Sequence, residues 1–591
     1  MEERWMLRAK RADFQAIGQR YGIDPVLARI IRNRDVEGWD AIDHYLYGTA
    51  EDLYDPLLMK GMKETADLVE AAISQGEGIT VASDFDDDGI FASMILWTAI
   101  RRLGGNVVID TPDRVREGYG LNRRIVEQAH ARGDGMILTC DNGIAAFEPI
   151  AYARELGMTV AVTDHHEVLY EEQPDGSRVY RYPPANTIVD PRQPECTYPF
   201  PKLCGAGVAW KLVQVLYGRR GIEKEELYVL LEYAAIATVA DVMDLVEENR
   251  IIVREGLRRL CSTKNKGLRA LIKACGLEGK KLTAYHIGFI IGPCFNAAGR
   301  LETVKLALEL LTETMEGAAE QKAMRLKALN DSRKDMTQKG VEQAISIIEA
   351  EKKEQDKVLC VCLTDCHESL AGIIAGRIRE RYYRPTFIFT EVEDGLKGSG
   401  RSIESYNMYA GLVGCKDLLG RFGGHPMAAG LSLPKENFRE LSRRLNEQCT
   451  LTEKDMTPIV RIDAAMPIHY LSEGLIESLE LLEPFGKGNE KPLFAEQHFA
   501  IMKGSIIGKN RNVMKLYVLN RAGASIEALY FGDIPKLEQF LIKEYGKDQV
   551  DRMYRGQAND IDIAFTYYPS INEFRGTRTL QIVVQNYCRI K

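Results

Sequence analysis

The sequence predicts an α/β protein: a doubly wound parallel-sheet domain, a long connecting helix, a second α/β domain and a C-terminal OB-like β-barrel. Three observations predict it. From Asp55 to beyond residue 160, strand-like apolar runs alternate with helical ones, the pattern of a parallel sheet with crossover helices. Residues 301–350 are rich in helix formers with helical spacing. The chain closes on five β-rich segments with one insertion, which suits an OB barrel. At 591 residues it exceeds one ordinary core, so several domains are expected.

Taken in order, residues 1–55 read as short helices without chemistry, an accessory N-terminal helical segment. A first α/β domain is expected over 56–265. Its strands are Gly78-Ile-Thr-Val-Ala-Ser, Asn106-Val-Val-Ile-Asp, Gly135-Met-Ile-Leu-Thr-Cys and Met158-Thr-Val-Ala-Val-Thr, with helices at Phe91–Ile100 and Phe147–Leu156. The helical connector spans 266–355, its long helix running from Leu301 through Gln343-Ala-Ile-Ser-Ile-Ile. A second α/β domain, 356–458, begins with the strand Val358-Leu-Cys-Val-Cys-Leu and the helix Ala371–Arg381. The barrel, 459–591, has strands near Phe499, Val513, Ser525, Ile561 and Thr579.

Composition narrows the function classes. Hydrophobic residues are 45% and charged ones 27%, as in globular chains, and no apolar run approaches the ~20 residues of a membrane span. The charged N-terminal stretch lacks a signal-peptide core, so a cytoplasmic protein is expected. Twelve cysteines without a CxxC pair read as reduced thiols, and Cys360, Cys362 and Cys366 as small residues of a strand region rather than a zinc site. The net charge of −8 disfavours a protein coated with nucleic acid. An enzyme that gathers carboxylates around metals can nevertheless be acidic overall and guide a strand through a local basic groove.

The chemistry concentrates at strand ends. Asp84-Phe-Asp86-Asp87-Asp88-Gly89 follows one predicted strand and precedes a helix, at the edge where open parallel sheets hold ligands. Such a run implies a bound divalent cation or a solvated loop, because crowded carboxylates raise each other's pKa. An EF-hand loop is excluded, since its twelfth position, a glutamate in that motif, is Ile95 here. Asp141-Asn-Gly ends the next strand but one, and Asp164-His165-His166 the strand after that. Delivery of these groups to one sheet edge favours a metal site over a solvated loop. Asp241 ends the apolar segment Ala234-Ala-Ile-Ala-Thr-Val-Ala, where a lone carboxylate needs a partner; a helix-terminal position near Asp244 is the plainer alternative.

In this order, Asp-x-Asp-x-Asp-Gly, Asp-Asn-Gly, Asp-His-His and Thr238-Val-Ala-Asp241 resemble the successive motifs of the DHH phosphoesterases. Among these, the RecJ exonucleases are resembled over most of the chain. The likeness runs through Pro112-Asp-Arg-Val-Arg-Glu-Gly-Tyr-Gly120, Gly205-Ala-Gly-Val, Gly292-Pro-Cys-Phe-Asn296-Ala-Ala-Gly-Arg300, Gly398-Ser-Gly-Arg401-Ser, Phe422-Gly-Gly-His425 and Pro484-Phe-Gly-Lys-Gly-Asn489. The resemblance implies that Asp86, Asp88, Asp141, His165, His166 and Asp241 coordinate two Mn²⁺ or Mg²⁺ ions, with Asp141 bridging and Asp84 and Asp164 orienting the ligands. It implies a DHHA1 substrate-binding domain around the glycine-rich segments. Arg114, Asn296, Arg300, Ser399, Arg401 and His425 would hold substrate, the terminal 5′ phosphate among it. Two departures stand out: Cys294 where RecJ chains usually carry Arg, and Cys366 where they usually carry Trp.

The implied activity is 5′-to-3′ hydrolysis of single-stranded DNA to nucleoside 5′-monophosphates, in repair and recombination. Single-strand-binding protein and a helicase are the implied partners, and no membrane is involved. Two alternatives are weighed against it. A DHH phosphodiesterase acting on short oligoribonucleotides or cyclic dinucleotides would share the metal set but has little use for a barrel that stacks several bases. A non-enzymatic replication scaffold is disfavoured because all six expected ligands are present.

Overall fold

A computed structural model describes residues 3–114 and 116–590; Val115, within the Pro112–Gly120 motif, lies outside them. The chain forms two units, Thr49–Met456 and the N-terminal residues through Gly48 joined with Thr457 onward.

In the larger unit, strand β1 (Gly78–Ser83) is buried at every position, as expected of a central parallel strand. It leads through the acidic run into helix α1 (Asp87–Arg102). Strands β2 (Asn106–Asp110), β3 (Asp134–Cys140), β4 (Thr159–Thr163) and β5 (Thr187–Val189) complete an all-parallel sheet of order β2-β1-β3-β4-β5. Because the chain leaves β1 for β2 on one side and returns to β3 on the other, the winding reverses between β1 and β3. A crevice therefore opens beyond their carboxyl ends. Helices α2 (Gly205–Arg219) and α3 (Leu231–Ala240) pack with α1 over one face, where Phe91, Leu96, Trp210 and Ile236 share the main core. Ile125, Ile137, Ile150 and Val160 fill the other face.

Helix α4 (Lys266–Ala274) and helix α5 (Gly292–Leu301) precede helix α6 (Glu316–Ala350), whose 35 residues span ~52 Å. The continuous helix expected from Leu301 therefore begins later. The Glu313 carboxylate accepts the backbone N–H groups of Thr314 and Met315, both at 2.8 Å, and pairs with Lys322 at 2.8 Å. That local turn satisfies the donors outside a helix and sets the start of α6. The second α/β domain has strands β6 (Leu359–Leu363), β7 (Thr386–Val392), β8 (Gly395–Arg401), β9 (Phe422–His425) and β10 (Ala428–Leu433), with helix α7 (Ala371–Tyr382) after β6. Their order is β9-β10-β8-β7-β6, and only β6 and β7 run parallel. Separate cores lie on the two faces, and Ala344 and Ile348 of α6 complete one of them.

In the smaller unit, strands β11 (Ala464–Ala465), β12 (Phe494–Ile507), β13 (Val513–Asn520), β14 (Ser525–Tyr530), β15 (Asp562–Phe574) and β16 (Thr577–Arg589) follow the order β11-β12-β13-β14-β16-β15. Pairing of β12 with β15 closes the five long strands into a barrel. Two helices, Ile534–Tyr545 and Lys547–Arg555, form the insertion. The N-terminal helices, read from sequence as a piece of their own, share this unit's core. Leu27, Ile30 and Ile31 pack in one cluster with Phe494, Phe499 and Tyr567. The strand Arg4–Leu7 pairs with Ile459–Ile462, and buried Arg34 donates to Asp463 at 2.6 and 2.9 Å.

Candidate metal centre and anion cavity

The acidic run is more deeply set than a loop. Asp86 caps α1, accepting the N–H groups of Asp88 at 3.1 Å and Gly89 at 3.3 Å, while Asp87 and Asp88 lie in the first helical turn. Carboxylates suit a helix N-terminus. A Cβ on Gly89 would meet the Asp84 carbonyl oxygen at 2.5 Å, so only glycine lets the helix start this close to the strand. Asp88 is fixed by a second helix: Gly205 N–H and Ala206 N–H, at the start of α2, donate to its oxygens at 2.6 and 2.7 Å. Gly205 is required by the same crowding, since a Cβ there would lie 2.6 Å from Asp141 Cβ.

From β3 comes Asp141, with φ of 62° and its carboxylate 3.0 Å from His165 Nε2. His165 Nε2 is also 3.4 Å from Asp88. After β4, Asp164 holds both histidines in place. It accepts the backbone N–H groups of His165 at 2.7 Å and His166 at 3.2 Å, sits 2.7 Å from His166 Nδ1, and takes the Ile144 N–H at 2.8 Å. Asp241, at the end of α3, completes the set. Ligand atoms of Asp88, His165 and Asp241 lie within 4.8 Å of one another, as do those of Asp141, His165 and His166. His165 belongs to both triads, so the two triads adjoin, as a pair of metal positions requires.

Electrostatics show what the cluster needs. Burial, with Asp88 and Asp86 alongside, pushes Asp141 well above the carboxylate range. Burial and Asp86 raise Asp84 to about 8, against the opposing pull of the Gly120 N–H. Asp86 and Asp87 are raised for the same reasons. Asp164 stays low despite burial, because His166 and backbone N–H groups stabilise its charge. Burial lowers His165, whereas for His166 burial is outweighed by the Asp164 bond, which lifts it to about 9. One oxygen of Asp84, both of Asp87, and His165 Nδ1 are buried without a hydrogen-bond partner. Carboxylates and imidazoles facing inward, short of protein donors, fit hard divalent cations.

Beside this cluster the same unit holds a cavity of about 500 Å³ lined by Arg114, Arg300, Lys397, Arg401 and Arg421, with Ser369 and Ser399. Arg300 donates to Ser369 O at 2.7 Å, and Ser369 Oγ donates back to Arg300 O at 3.2 Å, joining α5 to the second α/β domain. Burial, followed by the neighbouring Arg114 and Arg333, lowers Arg300 to about 9. Gly372, at the start of α7, keeps space before the guanidinium of Arg401: a Cβ would lie 3.0 Å from its Nη2 and 2.9 Å from Ser399 Oγ. Crowded guanidinium groups beside two hydroxyls call for an anion with several oxygens.

Of the residues singled out in the sequence, the cluster unites Asp88, Asp141, His165, His166 and Asp241, with Asp164 bonded to His166 and with Asp86 and Asp84 as charged neighbours. The cavity unites Arg114, Arg300, Ser399 and Arg401. Asn296 sits on α5 four residues before Arg300 without lining the cavity, and His425 is exposed at the end of β9, also outside it. Sequence reasoning passed over Asp87, Ser369, Lys397 and Arg421. It also passed over Tyr119, whose hydroxyl donates to Asp141 O at 2.5 Å and lies 3.2 Å from His166 Nε2.

Residues 78–240 match the family model of the DHH family N-terminal domain, 355–451 that of the DHHA1 domain and 462–586 that of the RecJ OB domain. The single-stranded-DNA-specific exonuclease RecJ of Bacillus subtilis is 33% identical over 592 residues, covering 98% of this chain and 73% of that one. RecJ of Escherichia coli is 32% identical, covering 95% and 96%. The crystal structure of Thermus thermophilus RecJ in complex with Mn²⁺ superposes with a TM-score of 0.79 at 25% identity, covering 100% of this chain and 80% of that one.

Proposed function

The chain belongs to the RecJ family of DHH phosphoesterases, and on that premise we propose a divalent-metal-dependent exonuclease that degrades single-stranded DNA from the 5′ end, releasing nucleoside 5′-monophosphates. The observation that carries the reading is the pairing of two features in one unit. Asp88, Asp141, His165, His166 and Asp241 converge beyond the carboxyl ends of the strands, Asp86 caps the helix that carries Asp88, and a cavity walled by arginines adjoins them. Asp86, Asp88, Asp141, His165, His166 and Asp241 would hold two Mn²⁺ or Mg²⁺ ions, which supply Lewis-acid activation of water and neutralise charge on the scissile phosphate. Asp164 fixes the His166 imidazole and the backbone N–H of His165, and the Gly205 and Ala206 N–H groups fix Asp88. Arg114, Arg300, Ser399 and Arg401 are suited to grip a terminal phosphate, which sets the polarity of digestion. The barrel suits the stacking of further nucleotides.

Repair and recombination are the setting that the family suggests, in the cytoplasm, with single-strand-binding protein and a helicase as partners. No helix among the described residues is long and apolar enough to cross a membrane. The test is digestion of single-stranded DNA oligomers labelled at either end, with Mn²⁺ or with chelator. Metal-dependent release of mononucleotides from the 5′ end is expected. Turnover confined to dinucleotides, or activity that survives complete metal removal, overturns the reading.

A further inference from the structure

Cys275 caps the C-terminus of α4 and Cys294 lies in the first turn of α5. Both are free thiols, and their sulfurs are 3.9 Å apart. A disulfide needs ~2.05 Å, so closure asks for an approach of roughly 1.9 Å, within the reach of side-chain rotation at a helix end. The pair is asymmetric. Cys275 is partly exposed, whereas Cys294 is buried, donates to Ile290 O at 3.2 Å and accepts from Asn330 Nδ2 at 3.4 Å.

We propose that Cys275 and Cys294 form an oxidisable dithiol site, in which Cys275 attacks peroxide and Cys294 closes the disulfide. The sulfur–sulfur contact with Cys294, assisted by Lys327 and Lys334 of α6, pulls the Cys275 thiol below its ordinary range against the effect of burial. Cys294 is correspondingly pushed above it by the same contact and by burial. The thiolate is thus favoured at the accessible sulfur, the arrangement expected of an attacking thiol with a resolving partner. Cys275 sulfur takes one oxygen of hydrogen peroxide as the O–O bond breaks, and the departing hydroxide is protonated to water. Cys294 sulfur then attacks Cys275 sulfur, loses its proton, and expels the sulfenic oxygen as a second water. Two thiols are oxidised by two electrons and one peroxide is reduced to two waters.

The bond would act on the anion cavity through α5. Drawing Cys294 Sγ toward Cys275 takes it from Asn330, whose Oδ1 holds Arg333 Nε at 3.0 Å. Arg333 in turn presses electrostatically on Arg300, which α5 carries into the cavity. Oxidation therefore loosens one wall of the site. This consequence rests on the exonuclease reading; the disulfide itself does not.

The test uses the full reduced chain exposed to hydrogen peroxide, alkylated, digested without reductant and mapped by mass spectrometry. A peptide pair joining residues 275 and 294, abolished by dithiothreitol, is expected. Cys294→Ser should instead accumulate a dimedone-reactive Cys275. Oxidised Cys275 without the cross-link, in the parent chain that needs no variant to fold, overturns the proposal. Nuclease activity should fall several-fold on oxidation and return with thiol, while Cys275→Ser keeps its activity in peroxide. Equal loss in Cys275→Ser would refute the coupling to the cavity and leave the mapped disulfide to be judged by the cross-link alone.

Discussion

Asp141 adopts a left-handed backbone conformation that asparagine and aspartate tolerate better than other side chains, and its carboxylate lies among Asp88, Asp86 and Asp241. The metal-free fold therefore carries a repulsion at this residue that a bound cation removes. Asp141→Asn keeps the backbone preference and the shape but not the charge. We expect it to lower turnover by at least about a thousandfold while the chelated protein unfolds at the same temperature or higher. Turnover assays beside thermal unfolding check both halves. A second expectation follows from proton linkage. Asp84, near 8, and the raised Asp86, Asp87 and Asp141 hold protons in the fold that the unfolded chain releases at ordinary carboxylate pH. Their contribution to metal-free stability is therefore lost as pH rises, for Asp84 toward about 8, and metal binding must displace the protons of the ligands Asp86 and Asp141. The rise in melting temperature on adding Mn²⁺ should be larger at pH 8 than at pH 6; equal shifts would show that the metal binds elsewhere. Of these residues, the ones at alternate positions of the acidic run were legible in the sequence, because a strand end followed by a helix marks a ligand edge. Asp87 was counted in the acidic run but given no role of its own, since the start of α1 at that residue was not visible. Lys397 and Arg421 were not singled out, because only the pairing of β8, β9 and β10 brings them to one cavity.

At the scale of elements, the site depends on how closely α1 and α2 approach the strand ends. Gly205→Ala would push α2 away from Asp141 and pull two N–H donors off Asp88. A loss of ~1–3 kcal/mol in stability and at least about tenfold in activity is expected. Gly218, on the same helix, has no neighbouring atom within 4 Å of where a Cβ would stand, so Gly218→Ala should be neutral or stabilise by ~0.5–1 kcal/mol. Denaturant unfolding and turnover of the two variants decide the matter; equal effects would remove close approach as the role of Gly205. The alternation of strands and helices was legible because each is written in local periodicity. The break before α6 was not, because it depends on Glu313 meeting Lys322 nine residues away.

At the scale of the whole molecule, the sequence concealed that the N-terminal helices and the barrel are one unit, since the contacts that join them span over four hundred residues of chain. Arg34 and Asp463 are 429 positions apart. That union decides how the barrel's role must be tested. Cutting the chain at residue 459 alone would uncover Leu27, Ile30 and Ile31 and leave the buried guanidinium of Arg34 without its carboxylate. The cost of such an orphaned charge is ~3–5 kcal/mol, and a misfolded product would say nothing about DNA. The fragment Thr49–Met456 keeps its own cores and all of the metal and cavity residues. It should hydrolyse a dinucleotide at saturating concentration at a rate near that of the full chain. If the removed unit stacks two bases at ~1–3 kcal/mol each, affinity for a long single strand should fall by on the order of a hundredfold. Fluorescence anisotropy of a labelled oligomer with the fragment and with the full chain measures this. Equal affinities would mean that the barrel does not hold the strand, and the short-substrate phosphodiesterase would then be the better reading of the same metal centre.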